Sequence, residues 1–250
     1  MIYQCIKDFE ISVINENGMM TESILKITSG MFFKESKDNA LSGAEIKLEN
    51  IFDDTFIEIS KETLKSSFED IKFADLLELQ RQLDEEVAKP RENGFVPRRR
   101  NYNKMVKSMI AEIIEFNEET ENTHKTCKQK EFDREKMIKK SVDICFFYLQ
   151  ICNLLTGKDQ EFIRILSESW ERAWESVDPY TTYGYDVELE LIKHLSSTEW
   201  CLSISKCLNI MTLLISIYVN NDISKDKMIQ TYLTEWKRNI TVRIKDDWSL

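Results

Sequence analysis

Three carboxylates in the middle of the chain are the side chains best placed to do chemistry. Glu112 and Glu115 lie three residues apart in a segment with helical apolar spacing, so they share one helix face. Asp143 is the single formal charge between Lys140 and Lys158, within a run of Val, Ile, Cys, Phe and Leu residues. An ionised carboxylate is rarely left unpaired among such neighbours. Asp143 therefore requires a partner, either a cation of the chain or a bound one.

A divalent cation is one partner that the spacing allows. Helices joined by a short loop pack antiparallel, so the polar face with Glu112 and Glu115 is expected to meet Asp143. Mg²⁺ prefers oxygen ligands and brings phosphate groups with it. Two alternatives stay open. Glu112 and Glu115 could form an ordinary solvated face, and Lys140, three residues before Asp143, could simply pair with its carboxylate.

The same residues carry a resemblance to a known family. The stretch 111–147 has the pattern E-x-x-E at Glu112 and Glu115, and Lys140-Ser-Val-Asp143 stands where the family has a later E-x-x-D. Together with the segment "LLELQRQLDEEV", these motifs resemble the all-α nucleotide pyrophosphohydrolases over about residues 73–250, and most closely the dimeric dUTPases. The resemblance implies hydrolysis of dUTP to dUMP and pyrophosphate, with Mg²⁺ ions that bridge the phosphates and a water that attacks.

The resemblance also implies a role for each site residue. Glu112, Glu115 and Asp143 would be the catalytic, Mg²⁺-binding carboxylates, and Gln80 would reach the uracil. A deoxyuridine nucleotide is thus the expected ligand, and a homodimer through the helical domain is the expected assembly. Phosphate contacts would come from the loop before Asp143 and from the last helix, namely from His124, Lys125, Lys128, Asn239 and Arg243.

Two departures from the family pattern bear on activity. Lys140 replaces a carboxylate, a change of two charge units, and at about 4 Å and an effective dielectric constant of about 20 each unit is worth roughly 4 kcal/mol. Cys127 stands where relatives have a tryptophan near the nucleotide. Glu118, Glu119 and Glu135 are candidates for a replacement oxygen ligand.

Two functions therefore follow from the sequence. The first is a Mg²⁺-dependent dUTP diphosphatase that uses the three carboxylates. The alternative is a catalytically degenerate dUTPase-like regulatory protein, of phage type, that binds a nucleotide or a host protein without turnover.

Two domains are expected to position these residues. Residues 1–72 contain short alternating segments separated by Asn17-Gly18, Ser29-Gly30 and Ser42-Gly43. They predict a small antiparallel β-barrel of SH3-like type, closed by a short helix in "SKETLKSSFEDI". This barrel resembles those of phage-encoded proteins. Residues 73–250 switch to helical spacing and predict an all-α bundle, so the expected fold class is mainly α.

The helices of the bundle are predicted from their apolar stripes and stop signals. Ser224 is the expected N-cap of the last helix, and Trp170, Trp174 and Trp200 are expected in the core or at a dimer interface. The predicted helices cover 73–89, 101–119, about 134–155, 159–176, about 187–220 and 225–244.

The amino-acid composition indicates the expected compartment and partners of the protein. The net charge is −10, so binding to nucleic acid is not expected. The six cysteines form no C-x-x-C pair, which is typical of a reducing compartment. The apolar stretch 207–219 is too short to cross a membrane. The protein is therefore expected in the cytoplasm, or in the host cytoplasm if it is phage-encoded, without membrane contact.

Overall fold

The chain is divided into two compact units in the computed structural model. The units are Met1–Ile71 and Lys72–Leu250. The first unit is built mainly of strands and the second of helices. The structure describes residues 1–14, 17, 19–53, 55–91, 94–98, 101–121, 131–177, 186–197 and 203–243.

The described residues of the first unit form seven strands and one short helix. Five strands form an antiparallel sheet in the order β6-β5-β4-β1-β7, while β2 and β3 pair as a two-stranded sheet. The predicted small antiparallel β domain is therefore confirmed, and its closure into an SH3-like barrel stays a prediction. In chain order the elements are β1 Ile2–Cys5, β2 Phe9–Ile14, β3 Met20–Ile27, β4 Phe32–Glu35, β5 Ile46–Asn50, β6 Phe56–Ile59, α1 Lys61–Ser67 and β7 Phe68–Asp70.

Side chains of both sheets share one core. Tyr3, Phe33 and Leu48 of the larger sheet pack in the same apolar cluster as Ile27 of β3. Gly30, in one of the predicted turns, has a φ angle of 91°, a conformation that favours glycine. Apolar side chains of the predicted strands thus form the core of this unit.

One part of this unit differs from the prediction. The helix expected across "SKETLKSSFEDI" ends at Ser67, and Phe68–Asp70 continues as strand β7, which pairs with β1. Phe68 is buried, and its ring meets Phe33 edge-on at 5.6 Å between centroids. Pairing and burial with residues distant in sequence outweigh the local helix signal at this point.

Glu58 of β6 is a buried carboxylate that holds the loop after residue 40 against the sheet. It accepts hydrogen bonds from the backbone N–H groups of Leu41 and Ser42, at 2.5 and 2.8 Å, and from the Ser42 hydroxyl. Burial raises the pKa of Glu58, but the hydrogen bonds from Ser42 and Leu41 lower it by more, so the pKa lies below its usual value. The ionised carboxylate therefore stabilises the first unit.

The described residues of the second unit form seven helices. Ser224 caps α8 as predicted, since its hydroxyl accepts the N–H of Lys227 at 3.2 Å. The mainly α fold class is confirmed. The helices are α2 Phe73–Ala88, α3 Tyr102–Glu119, α4 Arg134–Thr156, α5 Gln160–Ser176, α6 Val187–Ser196, α7 Ile204–Asn220 and α8 Lys225–Arg238, which continues as a π-helical turn, Asn239–Arg243.

The central helix of this unit is α4, which packs against α2, α3, α7 and α8. Most residues of its middle turns are buried, among them Val142, Ile144, Cys145 and Leu149. Lys140, Asp143 and Phe147 form a partly exposed stripe along one face. The charged side chains of these turns lie on that stripe, where they meet each other and a neighbouring helix.

Aromatic side chains fix α5 and α7 to this centre. Trp170 is fully buried, as predicted, with its ring 4.9 Å from that of Phe73. Trp174 stacks on Tyr218 at 5.8 Å, and the Tyr218 hydroxyl donates to the Ser141 carbonyl at 3.1 Å. Trp200 lies outside the described residues.

The single helix predicted over 187–220 is wrong, because two helices occupy this range. α6 ends at Ser196, and α7 begins at Ile204 after Ser203, whose hydroxyl accepts the N–H of Lys206 at 3.2 Å. The intervening sequence "SSTEWCLS" is rich in serine, whose hydroxyl competes for backbone hydrogen bonds and favours helix ends.

Within the described ranges, no helix combines the length and the apolar character that a membrane crossing needs.

The hydrogen bonds of Glu58 predict a pH-dependent loss of stability on substitution. Glu58→Gln should lower the free energy of unfolding at pH 7 by about 1–3 kcal/mol, because the Ser42 and Leu41 donors lose a charged acceptor. The folded-state pKa of Glu58 is depressed, so its contribution is present above the usual glutamate value of about 4.3 and is lost as the pH falls further.

Urea denaturation at pH 7 and at pH 3.5 measures this effect. The deficit of the variant should shrink at pH 3.5, while Glu22→Gln, an exposed position of β3, should change stability little at either pH. A deficit of equal size at both pH values would contradict the assignment.

Candidate functional site

The carboxylates predicted to act together are brought together by two packed helices. Glu112 and Glu115 lie one turn apart on α3, and α4 packs along α3 with Asp143 on the facing side. Asn101 caps α3 and Asp133 caps α4, each by accepting a backbone N–H. The caps fix where each helix begins, and the packing of α3 on α4 determines which residues of the two helices lie opposite each other.

The ammonium group of Lys140 lies between these three carboxylates. Its Nζ is 2.6 Å from Glu115 Oε2, 3.5 Å from Glu112 Oε2 and 3.6 Å from Asp143 Oδ2. Lys140 precedes Asp143 by three residues, so both side chains leave α4 on the face that meets α3. Lys140 is therefore a structural partner of Asp143. Glu112, Glu115, Asp143 and Lys140 are called the carboxylate cluster below.

Three carboxylates and one ammonium leave the carboxylate cluster with a net charge of −2. Burial raises the pKa of Glu112, as do the charges of Asp143 and Glu115, while Lys140 partly offsets them. Burial lowers the pKa of Lys140, but the hydrogen bond to Glu115 and the charges of Glu112 and Asp143 outweigh burial and raise it above its usual value. Lys140 is therefore charged at neutral pH.

The Mg²⁺ ion that the resemblance implies does not fit this arrangement. A cation bound by Glu112, Glu115 and Asp143 together would need the space of the Lys140 ammonium, which would also repel it. In the parts of the chain that the structure describes, no group of three or more His, Cys, Asp or Glu side chains is arranged to hold a metal ion. The catalytic and metal-binding roles of these carboxylates stay a prediction.

Two of the candidates for a replacement ligand pair with cations elsewhere. Glu119 Oε1 lies 2.9 Å from Lys136 Nζ, and Glu135 Oε1 lies 3.1 Å from Lys227 Nζ. Both carboxylates are thus neutralised away from Lys140.

An amide cluster lies farther along the same face of α4, where α2 meets it. Gln80 of α2 is fully buried, its amide donates to Asp84 Oδ1 at 2.9 Å, and its carbonyl accepts the Tyr232 hydroxyl at 3.3 Å. Gln150 of α4 donates to the same Asp84 oxygen at 2.6 Å. These contacts orient the Gln80 amide and use one of its two N–H groups, which leaves the second for another acceptor.

Residues of both clusters line one cavity of about 210 Å³, called the Gln80–Lys140 cleft below. Gln80, the predicted base-reading residue, therefore faces the same space as Glu112 and Asp143, whereas Glu115 is not among the lining residues. The stacking of Phe146 on Tyr232, at 4.6 Å between rings, stiffens the apolar wall. The polar lining comes from Gln80, Asp84, Glu112, Lys140, Asp143, Gln150 and Asn239, and the apolar lining from Leu83, Val87, Phe146 and Phe147.

Asn239, which the resemblance assigns to phosphate contacts, lies in the wall of this cleft. It begins the π-helical turn after α8, and π-helical turns are frequent at functional sites. The residue is only 5% exposed, and its Oδ1 atom is buried without a hydrogen-bond partner. A buried acceptor of this kind is costly unless something donates to it.

The other residues predicted to contact phosphate fall outside the described parts of the chain. This holds for His124, Lys125 and Lys128, as well as for Cys127. Arg243 ends the π-helical turn, and its side chain is likewise outside the described residues. Their phosphate contacts stay predictions.

The sequence analysis does not single out two polar residues of the cleft, Asp84 and Gln150, nor Tyr232, whose hydroxyl bonds Gln80. Asp84 follows Gln80 by one helical turn, a spacing at which side chains bond, so a signal is present. Gln150 is a polar residue inside the apolar run of α4, where the same reasoning that selects Asp143 applies. Tyr232 carries no local signal, because its hydroxyl reaches Gln80 only through folding.

Removal of the Lys140 ammonium should destabilise the protein in a pH-dependent manner. Lys140→Met leaves three mutually repelling carboxylates and should lower the free energy of unfolding by about 1–3 kcal/mol, because the pair is only partly buried. Without the ammonium, the pKa of Glu112, which burial and the charges of Asp143 and Glu115 already raise, should rise further above the unfolded value of about 4.3. Stability should accordingly be lost as the pH rises from that unfolded value through the raised one.

Thermal melts at pH 5 and pH 8, with and without Mg²⁺, measure this effect. The variant should melt lower at pH 8, relative to wild type, and Mg²⁺ should raise its melting temperature more than that of wild type. Lys107→Met, at an exposed position of α3, is the matched control. A melting temperature for Lys140→Met that equals the wild-type value at both pH values would contradict the described cluster.

Comparison with known proteins agrees with the helical architecture of the second unit. A search of curated proteins found no match. A protein-family model described as dUTPase matches residues 72–246, a range that begins with the second unit and includes every described residue of the cleft. Because this match covers more than half of the chain, the chain belongs to the dUTPase family.

Proposed function

We propose that this protein is a binding member of the dUTPase family, which holds a nucleobase-bearing ligand in the Gln80–Lys140 cleft and does not hydrolyse dUTP with Mg²⁺. The observation that supports this most is the position of Lys140 Nζ, 2.6 to 3.6 Å from oxygens of Glu112, Glu115 and Asp143. The proposed function is the second of the two that the sequence predicts, namely a dUTPase-like protein that binds a ligand without turnover.

The chemistry of dUTP hydrolysis explains why Lys140 matters. Phosphoryl and pyrophosphoryl transfer depend on cations that bridge phosphate oxygens and neutralise the charge that develops on them. The ammonium of Lys140 is a single charge that already neutralises carboxylates of the protein. A cluster with a net charge of −2 repels a triphosphate instead of attracting it. The described residues therefore supply no electrophilic centre for the reaction.

The base-binding half of the cleft supports retention of a ligand. Gln80 is held in one orientation by Asp84 and Tyr232, with one amide N–H still available. Phe146 and Phe147 provide apolar surface beside it. Oriented polar groups beside apolar contact surface are features of small-molecule sites, where the polar groups fix the orientation of the ligand.

Mg²⁺-dependent hydrolysis of dUTP is the competing function, and family membership and the three retained carboxylates favour it. For this reaction, Lys140 would have to leave the carboxylate cluster when a metal–nucleotide complex enters. The two functions thus differ in whether the ammonium stays in place.

Pyrophosphate release from dUTP in the presence of Mg²⁺ separates the two functions. Wild-type protein should release none above the buffer rate, because Lys140 excludes the metal. Lys140→Glu places a carboxylate at the position where the family pattern has one. This variant should gain Mg²⁺-dependent release of pyrophosphate. Hydrolysis by the wild type that stops in the Glu112→Gln variant would overturn the proposal.

Two variants control for unrelated effects of charge. Lys140→Gln removes the ammonium without adding a carboxylate and should gain less activity than Lys140→Glu. Lys107→Glu makes the same charge change at an exposed position of α3 and should gain none.

We also propose the homodimer that the resemblance implies. Exposed apolar side chains on the helical unit, among them Ile114, Leu154 and Leu189, are consistent with a further contact surface. Light scattering coupled to size-exclusion chromatography should give twice the chain mass of 29.6 kDa. A host protein partner, a phage origin and a cytoplasmic location stay predictions.

A further inference from the structure

We infer that a groove on the strand-rich unit binds an extended, basic segment of another protein by strand addition. The groove is a cavity of about 290 Å³ between the edge strands β2 and β6, and it is called the β2–β6 groove below. Ile11 and Ser12 of β2 lie on one side of it, and Ile59 of β6 lies on the other. The inference is independent of the proposed function, because no residue that lines the Gln80–Lys140 cleft lines this groove.

Both strands beside the groove have a free edge. Within the described residues, β2 pairs with β3 alone, and β6, the last strand of the five-stranded sheet, pairs with β5 alone. In the same part of the chain, neither strand forms a backbone–backbone hydrogen bond beyond that pairing. Ile57 and Ile59 of β6 are nevertheless buried, where backbone N–H and C=O groups need partners. An extended segment between the two strands would supply donors and acceptors to both edges.

The other free edges of this unit carry features that discourage strand pairing. The register between β2 and β3 shifts after Ser12, which places the extra residues on β3, and β3 also exposes Glu22 and Lys26. β7 has only three residues, and its Glu69 and Asp70 are exposed. By contrast, the stretch of β2 that borders the groove, residues 11–14, has no charged side chain. The edges at the groove are therefore the ones that remain open to an added strand.

The walls of the groove are apolar and are held in place. Ile14 and Met20 face each other across the β2–β3 pair, and Met20 is 75% exposed. The carboxylate of Glu58 holds the opposite loop by its hydrogen bonds to Leu41 and Ser42. Exposed apolar side chains beside a groove are typical of interaction sites. Since alternate side chains of a strand share one face, a partner with an apolar residue at every second position fits these walls.

The charge of the strand-rich unit favours a basic partner. Residues 1–71 contain 14 Asp and Glu against 7 Lys and Arg, a net charge of −7 out of −10 for the whole chain. Glu45 lines the groove with half of its side chain exposed, and its nearest ammonium, that of Lys61, is 3.7 Å away. Lysine or arginine at the positions between the apolar residues would be attracted by this field, whereas an acidic segment would be repelled.

Fluorescence anisotropy with labelled peptides and the full chain tests the inference. The probe is a six-residue peptide in which lysine and valine alternate, matched to the six residues of β2. One control peptide has glutamate in place of each lysine, and the other has N-methyl groups on two alternate backbone nitrogens. Each control should bind about tenfold more weakly than the probe, because the first loses the charge attraction and the second loses backbone donors. Binding of the probe should weaken as the salt concentration rises.

Two matched substitutions test whether the peptide binds at the groove. Glu45→Lys reverses a charge at the groove, and Glu69→Lys makes the same change on β7, at the opposite end of the sheet from β6. Both positions are exposed, so both variants should fold. Glu45→Lys should weaken binding of the probe about tenfold and strengthen binding of the glutamate peptide, while Glu69→Lys should change neither. Equal effects of the two substitutions would overturn the assignment to the groove.

The remaining outcomes separate this partner from other occupants of the groove. Equal affinity for the probe and the N-methylated peptide would overturn strand addition, and equal affinity for the glutamate peptide would overturn the basic partner. A second copy of this chain in the groove would also overturn the inference. In that case the probe would not bind, and Met20→Lys would lower the mass measured by light scattering. None of these results depends on dUTP hydrolysis, so failure of this inference leaves the proposed function intact.

Discussion

The ion pairs of Lys140 with Glu112, Glu115 and Asp143 are the interaction on which the helical unit and its site both depend. Asp143 lies on a partly exposed stripe of the central helix, between buried apolar neighbours and close to Glu112, and a carboxylate there without a cation would be costly. A lysine on the same helix provides the opposite charge wherever α4 is folded. The cluster therefore closes by folding alone, at any concentration of divalent cation.

Because the cation is a side chain of the protein, folding of the helical unit does not depend on a bound ion. Where a bound metal supplies the charge, metal binding contributes to the stability of the folded state. Here the tethered ammonium joins α3 to α4, so the same carboxylates serve packing instead of coordination. The contacts of Gln80 with Asp84 and Tyr232 do not involve this cation. In the proposed function, the part of the cleft around Gln80 therefore still binds a base, while the carboxylates have a structural role.

Much of the fold follows from the sequence because its signals are local. The change from alternating to helical spacing near residue 72 separates the strand-rich part from the helices, and the cap of α8 at Ser224 is visible in the residue types. One error occurs where a distant contact decides, because Phe68 enters a strand beside β1. The other is a local signal that the prediction does not use, since the serine-rich segment between α6 and α7 favours helix ends.

The candidate site likewise has a part that the sequence predicts and a part that only side-chain packing determines. The sequence spacing predicts that Glu112, Glu115 and Asp143 lie close together, and it allows either a metal ion or Lys140 as the cation between them. Which cation occupies the centre depends on side-chain packing between α3 and α4, which no motif encodes. The unpartnered Oδ1 of Asn239 likewise emerges only from the packing of the π-helical turn against the cleft.

Binding of Mn²⁺, a paramagnetic substitute for Mg²⁺, tests the central claim most directly. In a titration followed by electron paramagnetic resonance, wild-type protein should leave the signal of free Mn²⁺ unchanged, whereas Lys140→Glu should reduce it. Loss of the free-ion signal with wild-type protein, and its recovery in an Asp143→Asn variant, would contradict the account, because a metal ion would then share the space assigned to the Lys140 ammonium.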